Sequence, residues 1–164
     1  MASVKDFLDV AAILNDDITT AIDAVINEYG DAARKLIKKL SRALAILGMR
    51  AKRFCAVVNY VDGTVVKPRK VCVTVLRNDE VRFIVGSSVS MLLRIDDVVD
   101  AALAGKPLPK VLYTEMPPNE VKKLLFHIIQ VMAANIDEAR KILEEASKRM
   151  MLPKDIDLDA LKHV

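Results

Sequence analysis

The feature that most constrains the fold of this chain is an uninterrupted apolar stripe towards its C-terminus. Between residues 125 and 150, apolar side chains recur at alternating spacings of four and three residues. This is the spacing of a heptad seam on one face of a long α-helix. The stripe consists of Leu125, Ile129, Met132, Ile136, Ala139, Leu143, Ala146 and Met150. Because Pro117 and Pro118 suit the first turn of a helix, we predict one long helix from there to about Met151.

The two halves of this predicted helix differ in the width of their apolar face. Additional apolar residues such as Leu124 and Ile128 broaden the first half, which we interpret as docked on the core of its own chain. The second half narrows to the seam between charged flanks, which favours a zipper with a partner subunit. The predicted oligomerisation residues are Ile136, Ala139, Leu143, Ala146 and Met150. The alternative is a helix that lies wholly on its own core.

A second helical pattern carries concentrated positive charge. Eight cations and one acid fall between Asp31 and Arg53, although the net charge of the 164-residue chain is only +3. At helical spacing the cations form one face and apolar residues form the other. These are Arg34, Lys35, Lys38, Lys39 and Arg42 on the first face, and Leu36, Ile37, Leu40, Leu44 and Leu47 on the second. Such a field is typical of proteins that bind polyanions, the alternative being a solvated surface.

Helix boundaries are predicted from capping residues and glycines. Ser3 and Asp6 form a weak capping box that opens an N-terminal amphipathic helix. We predict that Gly30 ends this helix, that Asp31 caps the cationic helix, and that the latter runs to about Gly48. A short helix capped by Asp96 or Asp97 and ended by Gly105 is predicted further along the chain.

Between these helices, the spacing of apolar residues changes from the helical pattern to the alternating pattern of strands. The predicted strands are Phe54–Val61, Lys70–Arg77, Val81–Val85 and Val111–Glu115. Asp62 and Gly63 predict a tight turn. Thr64–Arg69 contains Pro68, which cannot donate to a ladder, so we predict an edge, a bulge or a mobile hairpin tip there.

These elements predict an α+β fold. N-terminal helices pack on a four-stranded antiparallel sheet, and a long C-terminal zipper-like helix follows. We predict a helical-plus-sheet domain at residues 1–116, and a helix for core docking and oligomerisation within residues 117–164.

Composition narrows the class of protein. The apolar content of 52% is ample for a buried core. No apolar run reaches the roughly 18 residues needed to cross a bilayer, and the N-terminus lacks the features of a signal peptide. We therefore expect a cytoplasmic protein that does not bind membranes. A single Gln and 29% charged residues favour a thermophilic source.

The sequence contains no pattern typical of an enzyme, a cofactor site or a metal site. His127 and His163 have no ligand at suitable spacing, and we interpret both as structural or solvated. Asp155–Asp159 resembles the start of a calcium loop but lacks the glycine and the distal glutamate. Cys55 and Cys72 are favoured as two buried thiols on adjacent strands, with a disulfide as the alternative. We predict no catalytic activity, no small-molecule substrate, no cofactor and no metal.

Cations beside aromatic residues on strands predict nucleic-acid binding. Single-strand binders hold phosphates with Lys and Arg and stack bases on rings. The candidates for phosphate contacts are Lys38, Arg42, Arg50, Lys52, Arg53, Lys67, Arg69, Lys70, Arg77 and Arg82, and those for stacking are Phe54, Tyr60 and Phe83. Tyr113 also lies on a predicted strand; the alternative is that such rings fill the core. The cationic helix carries no base-reading side chain before Ser41, which favours sequence-tolerant binding.

The order of these elements resembles the ThermoDBP family of archaeal single-stranded DNA-binding proteins. The resemblance is carried by the cationic stretch, the strands between Phe54 and Val85, and the Leu125–Met150 seam, and it spans roughly residues 3–150. It implies a cleft between helices and sheet that takes single-stranded DNA, and dimerisation through the C-terminal helices. We predict a homo-oligomer that binds single-stranded nucleic acid, DNA rather than RNA. The alternative is a protein-interaction adaptor or a small subunit of a nucleoprotein assembly.

Overall fold

The fold is α+β, as the sequence predicts. The computed structural model describes residues 18–87, 89–109 and 115–150. Its elements are α1 (Ile18–Ile46), β1 (Ala51–Asp62), β2 (Val65–Leu76), β3 (Glu80–Val85), β4 (Val89–Arg94), α2 (Ile95–Ala104), β5 (Leu108–Pro109), β6 (Glu115–Met116), α3 (Pro118–Ala134) and α4 (Ile136–Met150). Strands β1 to β4 form an antiparallel sheet in chain order, and β5 and β6 form a separate two-stranded ribbon.

Helix α1 continues through the position at which the sequence predicts a boundary. That prediction is wrong, because Gly30 and Asp31 both lie inside α1. Gly30 is buried, and a Cβ atom on it would lie 3.5 Å from Leu125 Cδ2 and 3.6 Å from Leu103 Cδ2. The glycine therefore allows side chains of α2 and α3 to lie close to α1. The helix ends just before Gly48, near the predicted place, and Gly48 has a left-handed φ of 69°.

The sheet has the predicted number of strands, but one of them is a different segment. Strands β1, β2 and β3 coincide with predicted strands and extend beyond some of their ends. The fourth strand is β4, which pairs with β3, and not the predicted Val111–Glu115. Glu115 belongs to β6, and residues 110–114 lie outside the described part of the chain. Strand β4 was missed because Arg94 leads directly into α2 without a turn residue between them.

The β1–β2 hairpin extends past the rest of the sheet. Gly63 occupies its turn with φ 63°, as predicted. Strand β2 pairs with β3 only over Val71–Val75, so the first half of β2 has one free side. Pro68 lies opposite Asn59, whose backbone N–H points away from β2 and donates to Gln130. The missing N–H of Pro68 therefore falls on the free side, and the prediction of an edge segment is confirmed.

The predicted long C-terminal helix is interrupted at Asn135, which separates α3 from α4. The backbone of Asn135 leaves the helical region with φ −115° and ψ 20°. Its side-chain amide donates to the carbonyl oxygens of Cys55 in β1 and Val131 in α3, at 3.0 and 2.8 Å. The prediction of a single zipper-like helix is therefore corrected to two helices, because a hydrogen bond to the sheet fixes where α3 ends.

The apolar seam is divided between these two helices. Its α3 residues lie in the core, and α4 packs against α1. In α4, Ala139 and Ala146 are buried within the chain, Leu143 is half-buried, and Ile136 and Met150 are exposed. Part of the seam is thus used internally, and its role in oligomerisation stays a prediction.

The core lies between one face of the four-stranded sheet and the helices. Val73, Val81 and Phe83 point from neighbouring strands into this core. Helices α1 and α3 contact the sheet from that side, and α2 packs against both helices. Because side chains alternate along each strand, the remaining strand residues point away from the helices. We call that second surface the open face.

Some predictions fall outside the described residues: the helix start at Ser3 and Asp6, Tyr113, Asp155–Asp159 and His163. Within the described ranges, no helix combines the length and apolar content that a bilayer crossing requires. The same ranges contain no group of three or more His, Cys, Asp or Glu residues arranged to hold a metal ion.

Candidate nucleic-acid interface

The open face carries one exposed cation on each strand of the sheet. These are Arg53 on β1, Lys70 on β2, Arg82 on β3 and Arg94 on β4. Arg53 and Arg82 both flank Thr74 of the central strand, so they lie in one row about 10 Å apart, two strand spacings. The four strands together make this surface about 14 Å wide. It is wide enough to take an extended polyanionic chain.

The positive charge of the open face is not neutralised within the described residues. None of these four cations has an ion-pair partner there, whereas several cations elsewhere do. Glu80 is the sole carboxylate that strand alternation places on this face in the described strands. Four cations against one acid produce a field that attracts phosphates.

A disulfide crosses the centre of the open face. Cys55 and Cys72 lie opposite each other on β1 and β2 and are bonded to each other. The interpretation as two free thiols is therefore wrong, although their placement on adjacent strands is correct. The bond joins cysteines 17 residues apart. A loop of that size contributes about 3 kcal/mol by restricting the unfolded chain, so the disulfide fixes the register of the strands that carry Arg53 and Lys70.

The open face also exposes apolar side chains. Val57 on β1 is 72% exposed and Leu92 on β4 is 53% exposed. Strand alternation places both on the same face as the cations. These side chains can contact the apolar parts of a ligand, but they cannot provide a ring on which a base would stack.

The predicted phosphate contacts Lys38 and Arg42 lie on α1, away from the open face. Lys38 Nζ is 3.0 Å from Asp96 Oδ2 at the start of α2. In the preceding turn, Arg34 bonds to Asp31 and Asp100, and the hydrogen bond to Asp100 is the main cause that raises the pKa of Arg34. The cationic face of α1 is therefore partly neutralised by neighbouring acids.

Three more predicted cations lie on the helix-facing side of the β1–β2 hairpin. Lys52 forms an ion pair with Glu138 of α4, and Lys67 is exposed close to the hairpin turn. The guanidinium of Arg69 lies 5.2 Å from the centre of the Tyr60 ring. Because side chains alternate along β2, Lys67 and Arg69 face the opposite side from Lys70. The sequence had placed these cations in one group, and the structure separates them.

Arg50 and Arg77 lie near the end of the sheet where α1 enters it. Arg50 is exposed in the connection between α1 and β1. Arg77 Nε donates to the carbonyl oxygen of Met49 at 2.8 Å, which joins this connection to the β2–β3 turn. Asn78 and Asp79 in that turn both have positive φ, a conformation that asparagine and aspartate adopt more readily than most other residues.

The predicted stacking residues do not present free ring faces. Phe54 is 1% exposed and Phe83 is 3% exposed, so both rings fill the core. Tyr60 is half-buried, and its ring stacks on His127 with centroids 4.4 Å apart. The stacking role predicted for these three residues is corrected to a packing role, because they lie on the covered face of the sheet.

Side chains from α3 and the residue that follows it bind the outer edge of β1. Gln130 Oε1 accepts from the N–H of Asn59 at 2.9 Å, and Gln130 Nε2 donates to the carbonyl oxygen of Asn59 at 3.2 Å. His127 Nε2 accepts from the N–H of Val61 at 3.1 Å. Together with Asn135, these residues provide hydrogen-bond partners for backbone groups along an edge of the sheet that would otherwise lack them.

The interpretation of His127 as structural is confirmed. It accepts a hydrogen bond through one ring nitrogen, and its ring packs near those of Tyr60, Phe83 and Phe126. Burial, together with a smaller effect of the positive charge of Lys123, lowers the pKa of His127 to about 4. The imidazole is therefore neutral near pH 7.

No protein-family profile, curated protein or solved structure matches this chain. The resemblance to the ThermoDBP family consequently stays a prediction. One residue of the interface, Arg94, was missed by sequence analysis because β4 was not predicted. The alternation of Ser90, Leu92 and Arg94 on one side of that segment is the pattern that could have revealed it.

Proposed function

We propose that this protein binds single-stranded nucleic acid without sequence preference, through the open face of its sheet. The supporting observation is a set of four cations, Arg53, Lys70, Arg82 and Arg94, on a surface away from the core, with no ion-pair partner and a single neighbouring carboxylate among the residues that the structure describes. Phosphate contacts of this kind supply affinity that does not depend on base sequence.

Two features favour a single strand over a duplex. The open face is formed by strands, and none of the described helices projects from it to enter a major groove. Apolar side chains such as Val57, which lies opposite Lys70, are exposed beside the cations, where unpaired bases could contact them. The preference for DNA over RNA rests on the resemblance to the ThermoDBP family. No described residue of the open face distinguishes DNA from RNA.

The burial of the predicted stacking rings changes the expected source of binding affinity. With Phe54 and Phe83 in the core, stacking on these rings is not part of the proposal. Affinity should come from phosphate contacts and should depend steeply on salt. We also propose self-association through the exposed part of the C-terminal seam, which would raise the effective concentration of open faces along one strand.

Titration of labelled oligonucleotides at several salt concentrations tests this proposal. The logarithm of affinity should fall linearly with the logarithm of salt, by roughly 0.7 per phosphate contacted on a single strand. The paired change Arg53→Ala and Arg82→Ala should reduce that slope by about 1.4, and should weaken binding to all sequences alike. Matched single- and double-stranded oligonucleotides in the same assay measure the strand preference.

The matched control is Arg140→Ala with Lys141→Ala, which removes the same charge from the exposed side of α4. This control should leave affinity and salt slope close to those of the unaltered protein. An equal loss in both double variants would show that binding follows net charge rather than the open face. Absent or salt-independent binding by the unaltered protein would remove the proposal altogether.

The second candidate is a protein-interaction module that uses the same face. The specific observation in its favour is the exposure of Val57 and Leu92 on the open face, because protein interfaces are built around apolar side chains. This function is favoured if the isolated protein binds no oligonucleotide but co-purifies with a defined partner of a nucleoprotein assembly.

A further inference from the structure

A second cationic surface lies on the outer side of α1. Five cations of α1 and Asp96 of α2 line an open trough of about 350 Å³. The cations are Arg34, Lys35, Lys38, Lys39 and Arg42. They extend over nine residues of helix, and the eight steps between the first and the last correspond to about 12 Å along its axis. We call this surface the α1 trough.

The charges of the α1 trough are only partly balanced. Arg34 and Lys38 are engaged with Asp96 and with other acids. Lys35, Lys39 and Arg42 have no ion-pair partner in the described part of the chain. Lys35 and Lys39 are four residues apart in the helix, and like charges at that spacing repel. An elongated polyanion would relieve this repulsion along the whole trough.

The chemistry of the trough favours a polyanionic chain, of which a chain of phosphates is one form. Its lining offers ammonium and guanidinium donors along the helix, with no amide, hydroxyl or aromatic side chain to recognise a base. A row of cations about 12 Å long suits several consecutive phosphates better than a single phosphate group. The phosphodiester backbone of a nucleic acid has this form.

The α1 trough and the open face lie on different layers of the molecule. Residues of α1 on the side away from the cations, such as Ile37 and Leu44, are fully buried in the core. Arg53 and Arg82 point away from the same core on the far side of the sheet. The core therefore separates the two surfaces, and each can be occupied without displacing the other.

From these observations we infer that the α1 trough is a second phosphate-backbone site, at which the protein holds one nucleic-acid segment while another occupies the open face. This inference rests on the proposed function of the open face. It adds a bridging activity that a single binding surface does not provide. Arg34 and Lys38 are positioned by Asp96 and Asp100, which also reduce the charge available to the ligand.

A two-strand capture assay tests the inference. The full-length protein is loaded on an immobilised single-stranded oligonucleotide, washed, and then given a second strand that carries a fluorescent label. The unaltered protein should retain the labelled strand. The variant Lys35→Ala, Lys39→Ala, Arg42→Ala should lose capture by at least about tenfold, while its affinity for one strand stays within about threefold.

Two further variants sharpen the test. Asp100 is exposed and bonds to Arg34, so Asp100→Asn should increase capture by about two- to threefold by releasing that cation. The control Arg140→Ala, Lys141→Ala, Lys148→Ala removes the same charge from α4 and should capture the second strand as the unaltered protein does.

Several results would overturn the inference. Undiminished capture by the α1 variant would show that two open faces of an oligomer do the bridging. Normal binding of one strand with no capture by the unaltered protein would reject the second site and leave the proposed function standing. Failure to bind even the first strand would reject both. Binding of inorganic polyphosphate that depends on α1, without such binding of oligonucleotide, would reject nucleic acid as the ligand.

Discussion

At the scale of single residues, contacts made by the fold decide what each side chain can do. His127 accepts a hydrogen bond from the backbone of β1 while its ring packs on Tyr60. The accepting nitrogen must be unprotonated. Burial and the positive charge of Lys123 on the same helix both disfavour a positive imidazole. Arg69 of the hairpin lies against the Tyr60 ring.

This environment predicts a pH dependence of stability. The pKa of His127 is lowered to about 4 from an ordinary value of 6.5. The unfolded chain therefore binds more protons between those values, so stability is complete above pH 6.5 and is lost as the pH falls towards 4. We expect a loss of about 1 kcal/mol in the free energy of unfolding between pH 7.5 and 5.5. Urea unfolding followed by circular dichroism measures it.

The variant His127→Gln provides the control, because its amide oxygen can accept the same N–H without titrating. The variant should be less stable at pH 7.5 but should lack this additional loss on acidification. Equal losses in both proteins would assign the pH dependence to other groups.

Residue roles were only partly predictable from the sequence. That Phe54 and Phe83 belong to strands follows from the period, but which face of the sheet is covered does not. Valine occurs on both faces of β1, so alternation alone leaves both assignments open. The helix-facing side became defined only when α1 and α3 packed on it. For the same reason Lys67 and Arg69 could not be separated from Lys70.

At the scale of elements, α1 shows tertiary packing overriding local signals. The Gly30-Asp31 pair has the composition of a helix boundary, yet α1 continues through it for a total of 29 residues. Neighbouring side chains from α2 and α3 pack over Gly30, and this packing is not visible in the local sequence. Asn135 is the converse case, because a hydrogen bond to a distant strand ends a helix whose apolar period continues.

The position of Gly30 predicts a stabilising substitution. A Cβ atom there would be in ordinary van der Waals contact with Leu125 and Leu103, and glycine is a poor helix former. We therefore expect Gly30→Ala to stabilise the protein by about 0.5–1 kcal/mol. Gly48 is the matched control, since its left-handed φ disfavours alanine and Gly48→Ala should destabilise by about 1 kcal/mol. Chemical denaturation measures the free energy of unfolding of both variants. Destabilisation by Gly30→Ala would contradict the packing described.

At the scale of the whole molecule, the charge asymmetry visible in the sequence becomes two separate surfaces. In the sequence the cations are concentrated in the middle third of the chain. In the fold they lie in two different layers. Arg53 and Arg82 go to the sheet, while Lys35 and Lys39 go to the helical layer. In the sequence analysis these cations are treated as one group of candidate phosphate contacts, and separating them requires both strand alternation and helix rotation. Neither follows from charge spacing alone.

The remaining exposed part of the seam predicts self-association at this scale. Ile136 is 40% exposed, and Met150 is also exposed, whereas the alanines between them are already buried against the chain itself. The paired change Ile136→Asp and Met150→Asp should therefore reduce the mass of the particle in sedimentation experiments to that of one chain. Lys141→Ala on the polar side of α4 should leave the mass unchanged. If the aspartate variant keeps the oligomeric mass, the contact lies elsewhere.

The hydrogen bonds that side chains make along the first strand limit how molecules of this protein can associate. Gln130 and His127 form hydrogen bonds with backbone groups of Asn59 and Val61. A strand of another molecule therefore cannot pair with that edge of the sheet without displacing these side chains. These hydrogen bonds therefore disfavour edge-to-edge association of sheets at β1. If the proposed function is correct, copies gathered closely along one nucleic-acid strand would meet through side chains and stay discrete particles.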